Sequence, residues 1–157
     1  MKSRKLAGLL FAIILSLAGC TGSMEAESAE DNDSQGLSVY DFDVSDSSDN
    51  LTNSTGDNLV DILMSQGREL DWSSVEIRIL IDGNPPVNCV ADDSSAPCTY
   101  ASDNSAKWSV GEEITISEGS NEDLCGDSTD CIIDVEISKI DDGTSHMIAV
   151  ENEVDVE

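Results

Sequence analysis

The stretch Val75-Glu76-Ile77-Arg78-Ile79-Leu80-Ile81 indicates the fold class of this 157-residue chain. Apolar residues occupy every second position, with Glu76 and Arg78 between them and Leu80 as the one apolar exception. Because a period of two places successive side chains on opposite faces of an extended chain, the stretch predicts a half-buried β-strand. The same alternation over residues 133–138 predicts another.

The chain after residue 57 contains further short β-like runs. They are residues 59–64, 86–89, 107–110, 114–116 and 147–150. Turn sequences lie between the runs, and Asp142-Gly143 favours a hairpin. No stretch after Cys20 keeps a helical apolar period over more than two turns. We therefore expect an all-β fold, a single small immunoglobulin-like β-sandwich over residues 57–157.

The N-terminal segment has the pattern of an export signal. Three basic residues precede an apolar run over residues 6–18, which ends in Leu17-Ala18-Gly19-Cys20. A helix of that length spans roughly 20 Å, short of the ~30 Å hydrocarbon core of a membrane, so a secretion signal is favoured over a lasting membrane span. The ending resembles the lipobox of prokaryotic lipoproteins, in which a leucine and two small residues precede a cysteine. An ordinary cleaved signal with a chance cysteine is the alternative.

The lipobox resemblance implies a signal peptide over residues 1–19 and a lipid on Cys20. Several acyl chains anchor a protein far more stably than one. The expected location is the outer face of the cell membrane, with the chain lipid-anchored and exposed to the extracellular space. The lipid would make the membrane the first expected partner.

The four remaining cysteines, Cys89, Cys98, Cys125 and Cys131, are an even number in an exported chain, which predicts disulfides. Of the three pairings, Cys89–Cys98 and Cys125–Cys131 are favoured because each pair brackets a polar, turn-rich stretch. A zinc site is the alternative, but it needs closer Cys spacings within each pair.

Residues 20–56 are expected to form a lipid-anchored, disordered acidic linker, since they are rich in Ser, Asp, Glu, Asn and Thr and carry no Lys or Arg. The run 37–44 is a candidate for one strand added to the domain. Asn50 and Asn53 each begin an Asn-x-Thr sequence and are candidate glycosylation sites.

Four carboxylates crowd around the second cysteine loop: Glu122, Asp123, Asp127 and Asp130. Close carboxylates on a stapled loop are candidate ligands for Ca²⁺, which prefers oxygen ligands. A solvated acidic loop is the alternative interpretation. No other cofactor is expected.

Two further patterns occur after residue 56. Gly56-Asp57 leads into the run at 59–64, and Trp108-Ser109-Val110-Gly111-Glu112 leads into a β-branched strand. Together with the hairpin at Asp142-Gly143, these elements resemble the β-domain of archaeal type IV pilins and archaellins. The resemblance implies a pilin-like β-sandwich at an archaeal cell surface, although the short apolar run that stops at Cys20 departs from that family.

Composition and motifs exclude several function classes. The chain carries 33 Asp+Glu against 7 Lys+Arg, a net charge of −26, so nucleic-acid binding, which needs clustered basic residues, is excluded. His146 is the one histidine and no Gly-x-Ser-x-Gly elbow is present, so we expect no enzyme. Trp72 and Trp108 are expected in the core rather than in a sugar-binding platform.

The expected function is therefore a non-enzymatic, lipid-anchored surface protein that presents its β-sandwich for adhesion or envelope interactions. Its partner would be a surface protein or glycan. One alternative is a minor pilin-like subunit of an archaeal surface filament. The other is a cation- or solute-binding lipoprotein.

The excess of carboxylates predicts that thermal stability rises with NaCl. Mutual repulsion destabilises the compact state at low salt, and added salt screens it. Thermal melting from low to molar NaCl should give a midpoint that increases with salt. A midpoint that stays flat over that range would contradict the prediction.

Overall fold

A computed structural model describes residues 39–102, 106–126 and 130–157, and these residues form strands and one short 3₁₀ helix. In chain order the strands are β1 (Asp41–Asp46), β2 (Asn58–Gln66), β3 (Leu70–Asp71), β4 (Val75–Ile81), β5 (Val87–Ala91), β6 (Cys98–Tyr100), β7 (Lys107–Trp108), β8 (Glu113–Glu118), β9 (Cys131–Asp141) and β10 (Thr144–Val156). The 3₁₀ helix, Trp72–Ser74, lies between β3 and β4. The all-β prediction is confirmed.

Eight of the strands hydrogen-bond into one sheet, in the order β1-β2-β8-β6-β5-β4-β9-β10. Every neighbouring pair is antiparallel except β5 and β6, which run parallel. The first and last strands of the order, β1 and β10, lie beside each other. The sheet is therefore curled into a nearly closed, barrel-like shape, and β3 and β7 form a separate two-stranded sheet.

This arrangement differs from the expected sandwich at one pair of strands. Without the parallel pairing, β1-β2-β8-β6 and β5-β4-β9-β10 would be two separate antiparallel sheets. The pairing of Cys89 with Cys98, Val90 with Thr99 and Ala91 with Tyr100 joins these halves into one sheet. A disulfide links Cys89 to Cys98 across this short ladder.

The connection from β5 to β6, residues 92–97, is much shorter than the dozen or more residues that a parallel pair usually needs. It begins at Asp92, which adopts φ 54° and donates its backbone N–H to the Tyr100 carbonyl at 2.8 Å. Its far side is held by the chain just after β8, where Gly119 N–H donates to Pro97 O at 2.8 Å and Ser120 N–H to Ser94 O at 2.8 Å. Long-range contacts therefore hold this reversal in place.

The core follows the alternation seen in the sequence. On β4 the side chains of Ile77 and Ile79 are fully buried, and the same holds for alternate residues of β9 from Ile133 to Ile137. β2 contributes four fully buried side chains to the core, those of Leu59, Val60, Ile62 and Met64. Each buried side chain of this size adds about 1.5–3 kcal/mol by leaving water.

Aromatic side chains pack together beside the start of β8. Trp108 is fully buried, stacks on Trp72 at 5.0 Å between ring centroids, and contacts Phe42 at 5.0 Å. Its indole N–H donates to Glu112 O at 3.1 Å, and Tyr100 lies 5.5 Å from Trp72. Trp108 is thus a core residue, as predicted, whereas Trp72 is half-buried and packs against the core from outside.

The first strand lies N-terminal to the expected domain boundary at residue 57. β1 falls within the run 37–44 and just beyond it, so the β-domain includes part of the segment expected to be linker. Asn50 and Asn53 are exposed in the connection between β1 and β2. Residues 1–38 lie outside the described part of the chain, and no helix among the described residues has the length and apolarity to cross a membrane.

Substituting Gly119 tests whether the chain reversal over residues 92–97 holds the sheet together. A Cβ at Gly119 would lie 1.6 Å from the Ala96 carbonyl oxygen and 2.8 Å from its carbon, both backbone atoms. Gly119→Ala should therefore destabilise the oxidised protein by about 3 kcal/mol, measured by urea denaturation. Gly143→Ala is the control, because Gly143 has φ 76° and no neighbour near that Cβ, and it should cost about 1 kcal/mol. Equal losses for the two variants would contradict the prediction.

Candidate functional site

The candidate site is the open seam, defined here as the facing edges of β1 and β10. Among the described residues, β1 pairs only with β2, and β10 pairs only with β9. Both facing edges therefore present backbone N–H and C=O groups without a strand partner, the arrangement that other chains can use for strand pairing. The seam is the place where the curled sheet fails to close.

A cleft with a volume of about 170 Å³ lies along the open seam. The side chains that line it are mostly apolar, although more of its exposed wall is polar than apolar. The apolar side chains are those of Phe42 and Val44 of β1, Val135 and Ile137 of β9, and the Ile148–Val150 segment of β10. A cavity of roughly 150 Å³ is enough for benzene in another protein, whereas small-molecule sites usually measure about 300–1,000 Å³. By its volume, the cleft therefore suits one side chain better than a separate organic ligand.

Irregularities in β10 direct side chains to this cleft. The register with β9 passes from Met147 to Ala149, so Ile148 is an extra residue with no partner on β9. Such bulges re-aim side chains, and Ile148 lines the cleft. Val150, which also lines it, is 42% exposed, and Met147 on the same strand is 52% exposed.

Tyr40, just before β1, covers another part of the cleft and is positioned by a glycine. A Cβ at Gly67 would lie 2.5 Å from the Tyr40 Cδ1 atom, so only a residue without a side chain admits the ring there. Gly67 also adopts φ 136°, which favours glycine. The ring therefore fixes the start of β1 against the end of β2.

Two carboxylates are among the residues that line the cleft. Asp41 and Glu151 line it, and Asp43 is exposed on the same edge strand. Lys139 on neighbouring β9 is paired with Asp141 at 2.9 Å, which raises the pKa of the lysine. The open seam thus contains a small cleft between mostly apolar side chains, with an acidic rim formed by Asp41 and Glu151.

A second feature, which the sequence analysis did not single out, is the buried carboxylate of Glu118. Its side chain is on the inward face of β8, two positions after buried Ile116, and Glu118 is 3% exposed. Oε1 accepts the backbone N–H groups of Leu124 at 2.8 Å and Cys125 at 3.3 Å. The alternation from Ile114 and Ile116 was the signal that could have placed it inside.

Burial raises the pKa of Glu118, and the nearby charges of Asp123 and Asp57 add to the effect, although the two backbone donors oppose it. Oε2 of Glu118 and Oδ1 of Asp123 are buried and have no hydrogen-bond partner among the described residues. Glu118 therefore holds the loop that contains Cys125 by accepting its N–H groups, at the cost of burying a charge.

Of the four residues predicted to bind calcium, three are among the described residues. Glu122 and Asp130 are exposed, Asp123 is half-buried, and Asp127 lies outside the described residues. Within residues 39–102, 106–126 and 130–157, no group of three or more His, Cys, Asp or Glu side chains is arranged to hold a metal ion. Calcium binding by all four residues stays a prediction.

The cysteines pair as the spacing favoured, Cys89 with Cys98 and Cys125 with Cys131. Two disulfides indicate an extracytoplasmic protein, because thiols stay reduced in most cytosols. Cys20 lies outside the described residues, so its lipidation stays a prediction. His146 is exposed on β10 opposite Lys139.

Comparisons of the chain with protein-family models, with curated proteins and with solved structures found no match.

Glu118→Gln tests the cost of the buried charge. Because the folded-state pKa of Glu118 is raised above its ordinary value of 4.5, the wild type loses stability as pH rises above that value. Glutamine keeps an oxygen acceptor and removes the charge. The variant should melt higher than the wild type at pH 7, and the difference should shrink as pH falls to about 4.5.

The matched control is Glu113→Gln, an exposed residue of the same strand. It should change the melting temperature little at either pH. A Glu118→Gln protein that melts below the wild type at pH 7, or a difference that does not depend on pH, would contradict the interpretation.

Proposed function

We propose that this protein is a non-enzymatic, lipid-anchored surface protein whose β-domain binds a partner outside the cytoplasm. The observation that carries the binding role is the open seam, because it combines a cleft lined mostly by apolar side chains with two strand edges that have no strand partner among the described residues. Exposed strand edges tend to recruit other chains unless they are protected.

The evidence for the lipid anchor comes from the sequence. Leu17-Ala18-Gly19-Cys20 follows an apolar run of export-signal length, and the two disulfides agree with passage out of the cytoplasm. An acidic segment then precedes the β-domain. This segment would hold the open seam away from the membrane surface. The partner in this proposal is another surface protein; the size of the cleft disfavours a free solute.

A minor pilin-like subunit is the second candidate. It is favoured by the order of elements after Trp108, where a turn over residues 109–112 leads into β8, and by the closing hairpin of β9 and β10. Those are the elements on which the resemblance to archaeal pilins rests. In this alternative the apolar run 6–18 is retained, and the immunoglobulin-like or pilin-like β-domain joins a filament.

Cys20→Ser separates the two candidates. If the lipid is the anchor, this variant should move from the membrane fraction to the soluble or secreted fraction, and its mass should lack acyl chains. Gly19→Ala keeps a small residue before the cysteine and is the matched control, which should remain lipidated. A Cys20→Ser protein that stays in the membrane at unchanged mass, with residues 6–18 retained, would reject the lipid anchor and favour the pilin-like subunit.

A further inference from the structure

The open seam also carries information about the kind of partner it binds. We infer that it receives an extended segment of another polypeptide, with Lys or Arg alternating with apolar residues, as an added strand along β10. This inference deepens the interaction role proposed above and rests on it. Three features of the seam support it: backbone groups, cleft size and charge.

The backbone supports strand addition. β10 is the longest strand, Thr144–Val156, and pairs on one side only among the residues described here. An added strand lies about 4.8 Å from its neighbour and satisfies the free N–H and C=O groups. No backbone pairing joins described residues of β1 and β10, so opening the seam for a strand breaks side-chain contacts but no ladder.

The cleft supports one anchoring side chain. Its volume of about 170 Å³ fits a single aliphatic or aromatic group, which would contact Phe42, Ile148 and Ala149. In an extended segment, side chains alternate between the two faces, so one apolar residue enters the cleft while its neighbours point to the rim. Apolar residues at every second position are therefore the expected pattern of the partner.

The negative charge of the rim determines which side chains suit the remaining positions of the partner segment. Asp41 and Glu151 line the cleft and place negative charge there, and the chain as a whole carries −26. A second copy of this chain would therefore be repelled. The acidic stretch 21–36, which contains no Lys or Arg, is disfavoured as an occupant for the same reason. Basic side chains at the rim would gain charge-assisted hydrogen bonds with these carboxylates.

The test uses the full chain in detergent and a short, fluorescently labelled peptide of alternating valine and lysine. Fluorescence polarisation should show binding that weakens with salt. A peptide of the same sequence with alternate backbone nitrogens methylated keeps its charge but loses strand donors, and it should bind at least about tenfold more weakly, equivalent to about 1.4 kcal/mol. An alternating valine and glutamate peptide should not bind. Equal binding of the methylated peptide would overturn strand addition.

Variants locate the site. Ala149→Arg puts bulk and positive charge into the cleft and should weaken peptide binding by about tenfold or more. Val90→Arg is the matched control. Val90 is 43% exposed on β5, which lies in the middle of the sheet order and so away from the open seam. This variant should bind the peptide like the wild type. The double variant Asp41→Asn with Glu151→Gln keeps the packing, since both residues are exposed, and should lose most of the salt dependence. Melting curves verify that each variant folds.

Two further results would overturn the inference. One is Ala149→Arg binding the peptide as well as the wild type. The other is a large gain in affinity when residues 21–36 are deleted, because the seam would then be covered by this chain's own segment. The lipid anchor is tested separately by the mass of the wild type. A lipidated wild type that fails to bind the peptide rejects only the inference, whereas a wild type that binds the peptide but carries no acyl chains rejects only the proposed anchor.

Discussion

The parallel pairing of β5 with β6 is the constraint on which the rest of the fold depends. It contains three residue pairs and one disulfide, Cys89–Cys98, yet it joins two antiparallel halves into a single sheet. A sheet continuous at this point can curl until its first and last strands meet. Because those strands, β1 and β10, do not hydrogen-bond to each other within the described residues, closure at one place leaves the open seam at another.

The short reversal over residues 92–97 explains why this pairing is stapled. A tight parallel connection gains few local contacts, so it relies on a covalent link and on bonds to the chain after β8. Gly119 permits that approach, since its missing side chain leaves room for the Ala96 carbonyl. Glu118, directly before it, extends the same support to the second disulfide loop by accepting N–H groups from Leu124 and Cys125. Two adjacent residues thus hold both cysteine loops.

Local patterns in the sequence predicted the parts that local physics determines. The alternation in 75–81 became β4 with its bounds intact, the turn at Asp142-Gly143 became the β9–β10 hairpin, and the cysteine spacing indicated both disulfides. The parallel pair was not predictable, because β6 has three residues and its partner is chosen by contacts distant in sequence. The cleft was equally hidden: Phe42, Val135 and Ile148 read as ordinary strand residues until the strand order places them together. Glu118 was within reach of the alternation rule but is a charged residue, which normally faces solvent.

In the arrangement described here, the sheet is closed at β5–β6 and open at β1–β10. The most direct test is amide hydrogen exchange of the oxidised full chain, measured for each residue by NMR. We expect slow exchange along β9, which pairs on both sides, and protected amides at Val90 and Thr99. Along β10 we expect slow amides that face β9 to alternate with fast amides that face the open seam, separately over residues 144–147 and 149–151, because the bulge at Ile148 interrupts the pairing. Uniform protection of β10, or rapid exchange across β5 and β6, would contradict this arrangement.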